Sequence, residues 1–336
     1  MESDDYGIVL RYGDGPGQCD IYGARDVWVF ESDGKYYMHY DGAGQKGWLA
    51  CLAVSDNLTD WEKKGAVLDL GQPGDDDSKS ASYGTTYFDG KDWHMFYLGT
   101  PNTTPPPYSV PSFPYLTMKA KSSLPAGPWK KEKHIVPFRT KPKTYYSLTA
   151  SPGGVVEYKG QYLQFFSATT QGDDFVKRTV GIARTKNLDD AWTPDAKPMV
   201  PIEEQIENSS IYYEPANETW FLFTNHIGLD DRIEYTDAIW VYWTKDLNKW
   251  DTQNKAVVLD SRNCKWSGKI IGLPSVVKAG NRLAIFYDGQ EGKTVPVKAG
   301  DKQDKDNPQL AQVASHMHRN IGLAWLDLPL DVPKSR

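Results

Sequence analysis

The sequence predicts an all-β fold: a five-bladed β-propeller that forms one domain over residues 1–336 and is closed by its amino-terminal strand. Three observations predict it. A hairpin with a Gly- or Asn-containing turn and an aromatic-rich return strand recurs five times. A further strand-like run follows each hairpin. A short phrase ending in tryptophan trails four of those runs. Repeats at intervals of roughly 60 residues, each worth three or four strands, are the signature of blades arranged about a channel.

The first hairpin is Val27-Trp-Val-Phe-Glu-Ser-Asp-Gly-Lys-Tyr-Tyr-Met-His-Tyr40, turning at Asp33-Gly34. The second, 86–97, turns at Asp89-Gly90, and the third, 155–166, at Lys159-Gly160. The fourth, 211–223, turns through Pro215-Ala-Asn217, and the fifth, 276–287, at Gly280-Asn281. Apolar and β-branched runs flanking such turns read as antiparallel hairpins. The trailing phrases end at Trp61, Trp129, Trp192 and Trp250, and their recurrence with the blades reads as structural packing. Blades are expected at roughly 20–70, 78–138, 145–201, 204–260 and 268–330. The last unit lacks a fourth strand, which the stretch Tyr6-Gly-Ile-Val-Leu-Arg-Tyr12 supplies, removing an open sheet edge.

Composition excludes several classes. Net charge is −6, from 38 basic and 44 acidic residues, so there is no electrostatic footprint for nucleic acid. No run approaches the ~18 apolar residues of a membrane span. Three scattered cysteines, Cys19, Cys51 and Cys264, form no zinc pattern and leave at most one bridge, Cys19–Cys51. The first residues show neither a basic nor an apolar leader region. The expectation is a cytoplasmic protein or, with a leader removed, a periplasmic or secreted one. The run Asp75-Asp-Asp77 reads as a solvated loop.

Three long connections, 99–115, 225–237 and 289–319, interrupt the repeat between second and third strands, and all should emerge on one face. Within the last, 298–308 is charged and reads as a solvated loop. The innermost strands begin on that same face. Aligned through the hairpins, their starts are Ala24-Arg-Asp26, Ala81-Ser-Tyr83, Ala150-Ser-Pro152, Glu207-Asn-Ser209 and Ile271-Gly-Leu-Pro274. Only Asp26 and Glu207 carry carboxylates there. Two carboxyl groups facing one cavity are the minimum for glycoside hydrolysis: one gives a proton to the leaving oxygen, the other activates water or attacks. Around them, Arg25 and Arg319 could clamp an anion, Trp28, Tyr83 and Trp240 could stack on a sugar, and Ser151, His226, Asp237 and His318 are candidate polar contacts.

Arg25-Asp26-Val-Trp-Val-Phe followed by Asp33-Gly-Lys-Tyr-Tyr-Met-His-Tyr40 resembles the opening blade of five-bladed glycosidases of the glycoside hydrolase family 43 type. Ile206-Glu207-Asn-Ser-Ser-Ile-Tyr212 resembles their fourth-blade motif. The resemblance runs over nearly the whole chain as a repeat pattern. It implies Asp26 as general base and Glu207 as general acid, with inversion at the anomeric carbon. Val27 stands where that family has proline, and Asn208-Ser209 where it has Gly-Pro. At the start of blade three, where the family has a second aspartate, the chain has Ser151; Asp173, Asp174 or Asp237 is left to fill that place.

The expected function is therefore an exo-acting glycosidase that takes a terminal sugar of furanoside, xyloside or galactoside type from an oligosaccharide, with no cofactor. A structural calcium ion in the channel stays open. No nucleic acid or membrane partner is expected. A carbohydrate-binding propeller without turnover is the alternative, and a glycoside phosphorylase is a third reading that needs a basic cluster beside the carboxylates.

Overall fold

The computed structural model describes residues 1–333 except 107, 174, 231–232 and 293–315. Asp174 and the charged stretch 298–308 therefore lie outside the described residues. Twenty-one strands and two three-residue 3-10 turns make the described fold all-β. Among the described residues no helix is long and apolar enough to cross a membrane.

Alternating patterns and glycine turns fold the chain into antiparallel groups in sequence order. The first contains β2 (Gly23–Ser32), β3 (Lys35–Gly44), β4 (Gly47–Ser55) and β5 (Glu62–Ala66). The second contains β6 (Ser80–Phe88), β7 (Trp93–Thr100), β8 (Tyr115–Ser122) and β9 (Lys130–Lys131). In the third, β12 (Gln161–Gln171) pairs with β10 (Thr149–Ser151), β11 (Val155–Tyr158) and β13 (Val176–Thr185), and β13 with β14 (Thr193–Pro194). The fourth contains β15 (Ile206–Glu214), β16 (Thr219–Asp230), β17 (Ile233–Thr244) and β18 (Lys255–Asp260). The fifth joins β19 (Ser267–Ala279), β20 (Arg282–Glu291) and β21 (Arg319–Asp327) to β1 (Asp4–Leu10).

Three details differ from the expectations. The amino-terminal strand starts two residues earlier than the 6–12 run. The innermost strand of the third group is broken, because Pro152 has no N–H to donate and Gly153-Gly154 follows it. The expected loop at 225–237 is instead a continuation of the β16–β17 hairpin, paired from Ile227↔Thr236 to Asp230↔Ile233.

Hydrogen bonds tie each first strand to the next group. The Trp28 indole donates to Thr86 Oγ1 (3.1 Å), Thr85 Oγ1 to the Gly153 carbonyl (3.1 Å), and Gly154 N to Ser209 Oγ (3.1 Å). Val276 N donates to Ser210 Oγ (3.0 Å) and Val29 N to Ser275 Oγ (2.8 Å), so the series ends on the strand where it began. Each such bond contributes about 1 kcal/mol net.

The repeat tryptophans make a parallel series of edge-on contacts, each with a ring on the second or middle strand of the preceding group. Trp129 meets His39 at 5.5 Å, Trp192 meets Phe96 at 5.4 Å, and Trp250 meets Phe165 at 5.8 Å. Trp61, in the first group, meets Phe286 of the fifth at 5.6 Å. T-shaped pairs of this kind contribute about 0.5–1.5 kcal/mol beyond burial.

All three cysteines are free thiols. The acidic run 75–77 is not simply solvated: Asp77 is buried and accepts from the Tyr97 hydroxyl at 2.8 Å, with Lys131 Nζ 2.6 Å away. A buried carboxylate needs such partners.

Candidate active site

The register of the first strand shifts at the same place in four groups: between Arg25 and Trp28, Ser82 and Gly84, Glu207 and Ser210, and Gly272 and Ser275. Bulges re-aim side chains and recur beside active sites. At the two that carry carboxylates, a residue sits in the left-handed region: Asp26 at φ 50° and Asn208 at φ 60°. Asp and Asn tolerate that conformation better than other L-residues.

These bulges open onto one cavity of about 130 Å³. Asp26, Glu207, Arg25, Tyr83, Ser151 and Arg319 all line it. So do residues of all three long connections: Thr104 and Val110–Phe113 from the first, Ile227 and Glu234–Thr236 from the second, and His316 from the third. The Pro-rich first connection is held down by Trp48, which is fully buried and donates from its indole to the Tyr108 carbonyl at 2.8 Å.

Charges in and behind the cavity are arranged in pairs. Arg25 donates from Nε to Asp41 Oδ2 (3.2 Å) and from Nη1 to His316 Nδ1, and lies over the Trp48 ring at 4.1 Å. Arg319 donates to Asp288 Oδ1 (2.7 Å). Arg178, on β13, bridges two carboxylates, donating to Glu207 Oε2 at 2.8 Å and Glu234 Oε2 at 2.6 Å. The Asp26 backbone N–H donates to Asp288 Oδ2 at 2.7 Å. Among the described residues, the Asp26 carboxylate has one ionic neighbour, Arg25 Nε at 3.5 Å, and accepts no hydrogen bond.

Burial is the largest influence on these groups. It raises Asp26 to about 6, with Arg25 opposing and Asp288 adding to the rise. It raises Asp41 to about 8 against the pull of Arg25. Burial and the neighbouring guanidiniums hold His316 well below the usual histidine range, so it stays neutral and accepts from Arg25. Burial lifts Tyr115 to about 12.

No family model matches the chain. Among solved structures, it superposes on a glycoside hydrolase with TM-score 0.66 at 17% identity, covering 99% of this chain and 95% of that one. It superposes on the catalytic domain of the Coprinopsis cinerea GH62 alpha-L-arabinofuranosidase with TM-score 0.62 at 12% identity, covering 97% and 96%. A thermostable family-43 glycoside hydrolase gives 0.58 at 15% identity, covering 84% and 89%. The chain has the fold of the propeller glycosidases. In sequence, a 1,2-beta-oligomannan phosphorylase of Thermoanaerobacter sp. (strain X514) is 47% identical over 53 residues, 15% of this chain. The match spans only 18% of that relative's length.

Five of the sequence candidates, Trp28, His226, Asp237, Trp240 and His318, stand outside the lining of this propeller's cavity. Trp28 is engaged with Thr86. His226 stacks on Trp240 at 4.1 Å and shares a hydrogen bond of 2.7 Å with Asp237. His318 contacts the Tyr12 hydroxyl at 3.1 Å. Of the carboxylates weighed for the third place, Asp173 is exposed and Asp237 is paired with His226; Glu234, which was not among them, lines the cavity. Sequence reading also missed Arg178, Asp41 and Asp288. The last two carried a signal: Tyr40-Asp41-Gly42 and Tyr287-Asp288-Gly289 are the same tripeptide at equivalent places on β3 and β20. Arg178 carried none, because it lies on β13, two strands out from the innermost position. Among the described residues no group of three or more His, Cys, Asp and Glu is placed to hold a metal ion.

Proposed function

We propose that the chain is an exo-acting glycoside hydrolase built as a ring of five blades. The inter-strand ties that return to β2, the contact of Trp61 with Phe286, and the pairing of β1 with β21 support the ring. One observation carries the activity. Asp26 and Glu207, on the first strands of the first and fourth groups, line the same small cavity. Two carboxyl groups in a confined site supply the acid and the base or nucleophile of glycoside hydrolysis. A volume of about 130 Å³ walled by three connections suits one terminal sugar better than an internal stretch of polymer. Furanosides, xylosides and galactosides are the substrates to try, with inversion as the expected outcome. Water and the two carboxyls suffice, so the reading calls for no cofactor.

A phosphorylase is the second reading, favoured by Arg178 and His316 joining Arg25 and Arg319 at the cavity and by the short match to an oligomannan phosphorylase. Against it, each guanidinium already donates to a carboxylate, and a phosphate would have to compete. The deciding experiment is sugar release from aryl glycosides and oligosaccharides by wild type and Asp26→Asn, with and without inorganic phosphate. Phosphate-independent release that the substitution abolishes supports the hydrolase. Sugar binding by calorimetry without release on any substrate would make the chain a binding module.

A further inference from the structure

We infer that Ser167 and Asp288 are positioning residues for the two carboxyl groups. From equivalent places on the second strands of the third and fifth groups, each holds the backbone bulge that carries a carboxylate on the next group. This inference rests on the hydrolase reading, which needs Asp26 and Glu207 at a fixed separation. Strand register defines the place. The last paired residue before each bulge or break is Arg25, Ser82, Ser151, Glu207 or Gly272, and opposite these stand Asp41, Leu98, Ser167, Asn225 and Asp288. Two of the opposing residues also reach across to the group that follows. Asp288 Oδ2 accepts from the Asp26 N–H at 2.7 Å, and Ser167 Oγ accepts from the Asn208 N–H at 2.7 Å. Each donor is the residue just past the last pair, and each sits in the left-handed region, at φ 50° and 60°. Among the described residues, this clamp occurs at the two strand starts that carry carboxylates.

A left-handed L-residue is strained and persists only where its surroundings hold it. Asp288 is fully buried and is itself fixed by Arg319 at 2.7 Å. Ser167 is buried too; its hydroxyl donates to Asn208 Oδ1 at 3.1 Å, and Asn208 Nδ2 donates to Asn225 Oδ1 at 2.9 Å. The Glu207 carbonyl accepts from Thr224 Oγ1 at 2.7 Å, so the backbone on both sides of that bulge is tied. The other three places serve other ends. Asp41 accepts from Arg25 Nε and Asn225 from the Asn208 amide. In the third group the matching donor would be Pro152, which has no N–H, and the equivalent residue of the second group is the apolar Leu98. Neither Ser167 nor Asp288 lines the cavity, so each acts on the reaction through the bulge it holds.

The test uses the aryl glycoside that wild type turns over. Ser167→Ala leaves every charge in place and should lower kcat about 10²-fold with KM within about threefold of wild type, because a small misplacement of a reacting group acts on the chemical step. Asp288→Ala should do the same through Asp26. It also removes an acceptor of Arg319, so should it not fold, Ser167→Ala carries the test. Ser275→Ala is the control for a merely structural role. It removes a tie of the same kind, the Oγ that accepts from Val29 N at 2.8 Å, and should keep kcat within about twofold of wild type. Wild-type kcat in Ser167→Ala, or an equal fall in Ser275→Ala, overturns the positioning role. Amide hydrogen exchange tests the clamps without turnover: the Asn208 N–H should exchange about tenfold or more faster in Ser167→Ala, and the Asp26 N–H likewise in Asp288→Ala. Unchanged exchange refutes the inference. Absence of turnover by wild type would sink the hydrolase reading separately, and the exchange rates would still decide whether the two bulges are held.

Discussion

His39 occupies the place that Phe96, Phe165 and Phe286 hold in other groups, edge-on to a repeat tryptophan. It is fully buried, and burial pushes its imidazole down to about 3. The folded protein therefore keeps His39 neutral at a pH where the unfolded chain, near 6.5, has bound a proton. The sign follows: the folded value is depressed, so stability drains away as pH falls below about 6.5 and continues to drain until about 3. Between pH 7.5 and 4.5 the unfolded state gains about two pH units' worth of proton binding that the folded state does not match, a loss of about 2.7 kcal/mol. His39→Phe removes this term and keeps the aromatic contact with Trp129. Denaturant unfolding of wild type and variant at the two pH values should show the variant's advantage growing by about 2.7 kcal/mol toward acid. Parallel pH dependences of the two proteins would falsify the claim that His39 is buried and neutral against Trp129.

Gly153→Ala should unfold or severely destabilise the protein, by more than about 4 kcal/mol, because a Cβ there would sit 1.7 Å from the Phe165 carbonyl oxygen. Gly154→Ala meets nothing closer than 3.6 Å, and its melting temperature should stay within a few degrees of wild type, so equal melts for the pair would be a contradiction. Trp48→Phe gives up the bond to the Tyr108 carbonyl, about 1 kcal/mol, and should speed proteolytic cleavage within 101–115 roughly fivefold; an unchanged cleavage rate counts against the latch. Inorganic phosphate should leave the rate and the product unchanged, whereas a sugar 1-phosphate in the product mixture would establish the phosphorylase.

The repeat was legible because hairpin turns and aromatic spacing are local. Asp33-Gly34, Lys159-Gly160 and Gly280-Asn281 each mark their turn in sequence, and the tryptophan phrases count the groups. The cavity was legible only along the first strands, where alignment through the hairpins placed Asp26, Tyr83, Ser151 and Glu207 together. Arg178 and Glu234 escaped because they reach the cavity from the third and fourth groups through strands whose length no local signal sets. The 225–237 stretch has no Gly or Pro turn pair after Gly228, yet pairs as a hairpin, so its polar residues read as loop and its Glu234 went unweighed. His226 and Asp237 were drawn toward the site by sequence proximity, but their bond to each other and the stacking of His226 on Trp240 place them outside the cavity lining.

Asp41 tests the electrostatics of the site from behind Arg25. Its carboxyl does not line the cavity, lies behind Arg25, and is raised by burial to about 8. A carboxyl raised in the folded state stabilises the fold most below its unfolded value, near 3.9, and that contribution is lost as pH climbs through about 8. Asp41→Asn fixes the neutral form and retains an oxygen able to accept from Arg25 Nε. Relative to wild type, the variant should gain stability steadily as pH rises from about 4 and stop gaining above about 8. The activity limb belonging to Asp26 should then persist near 6. If Asp41 instead carries a full negative charge at neutral pH, removing it frees Arg25 for Asp26 and drags that limb downward by about one unit or more. Unfolding curves for Asp41→Asn parallel to wild type across this range, with a displaced limb, would show that Asp41 is ionised in the folded protein and refute the reading.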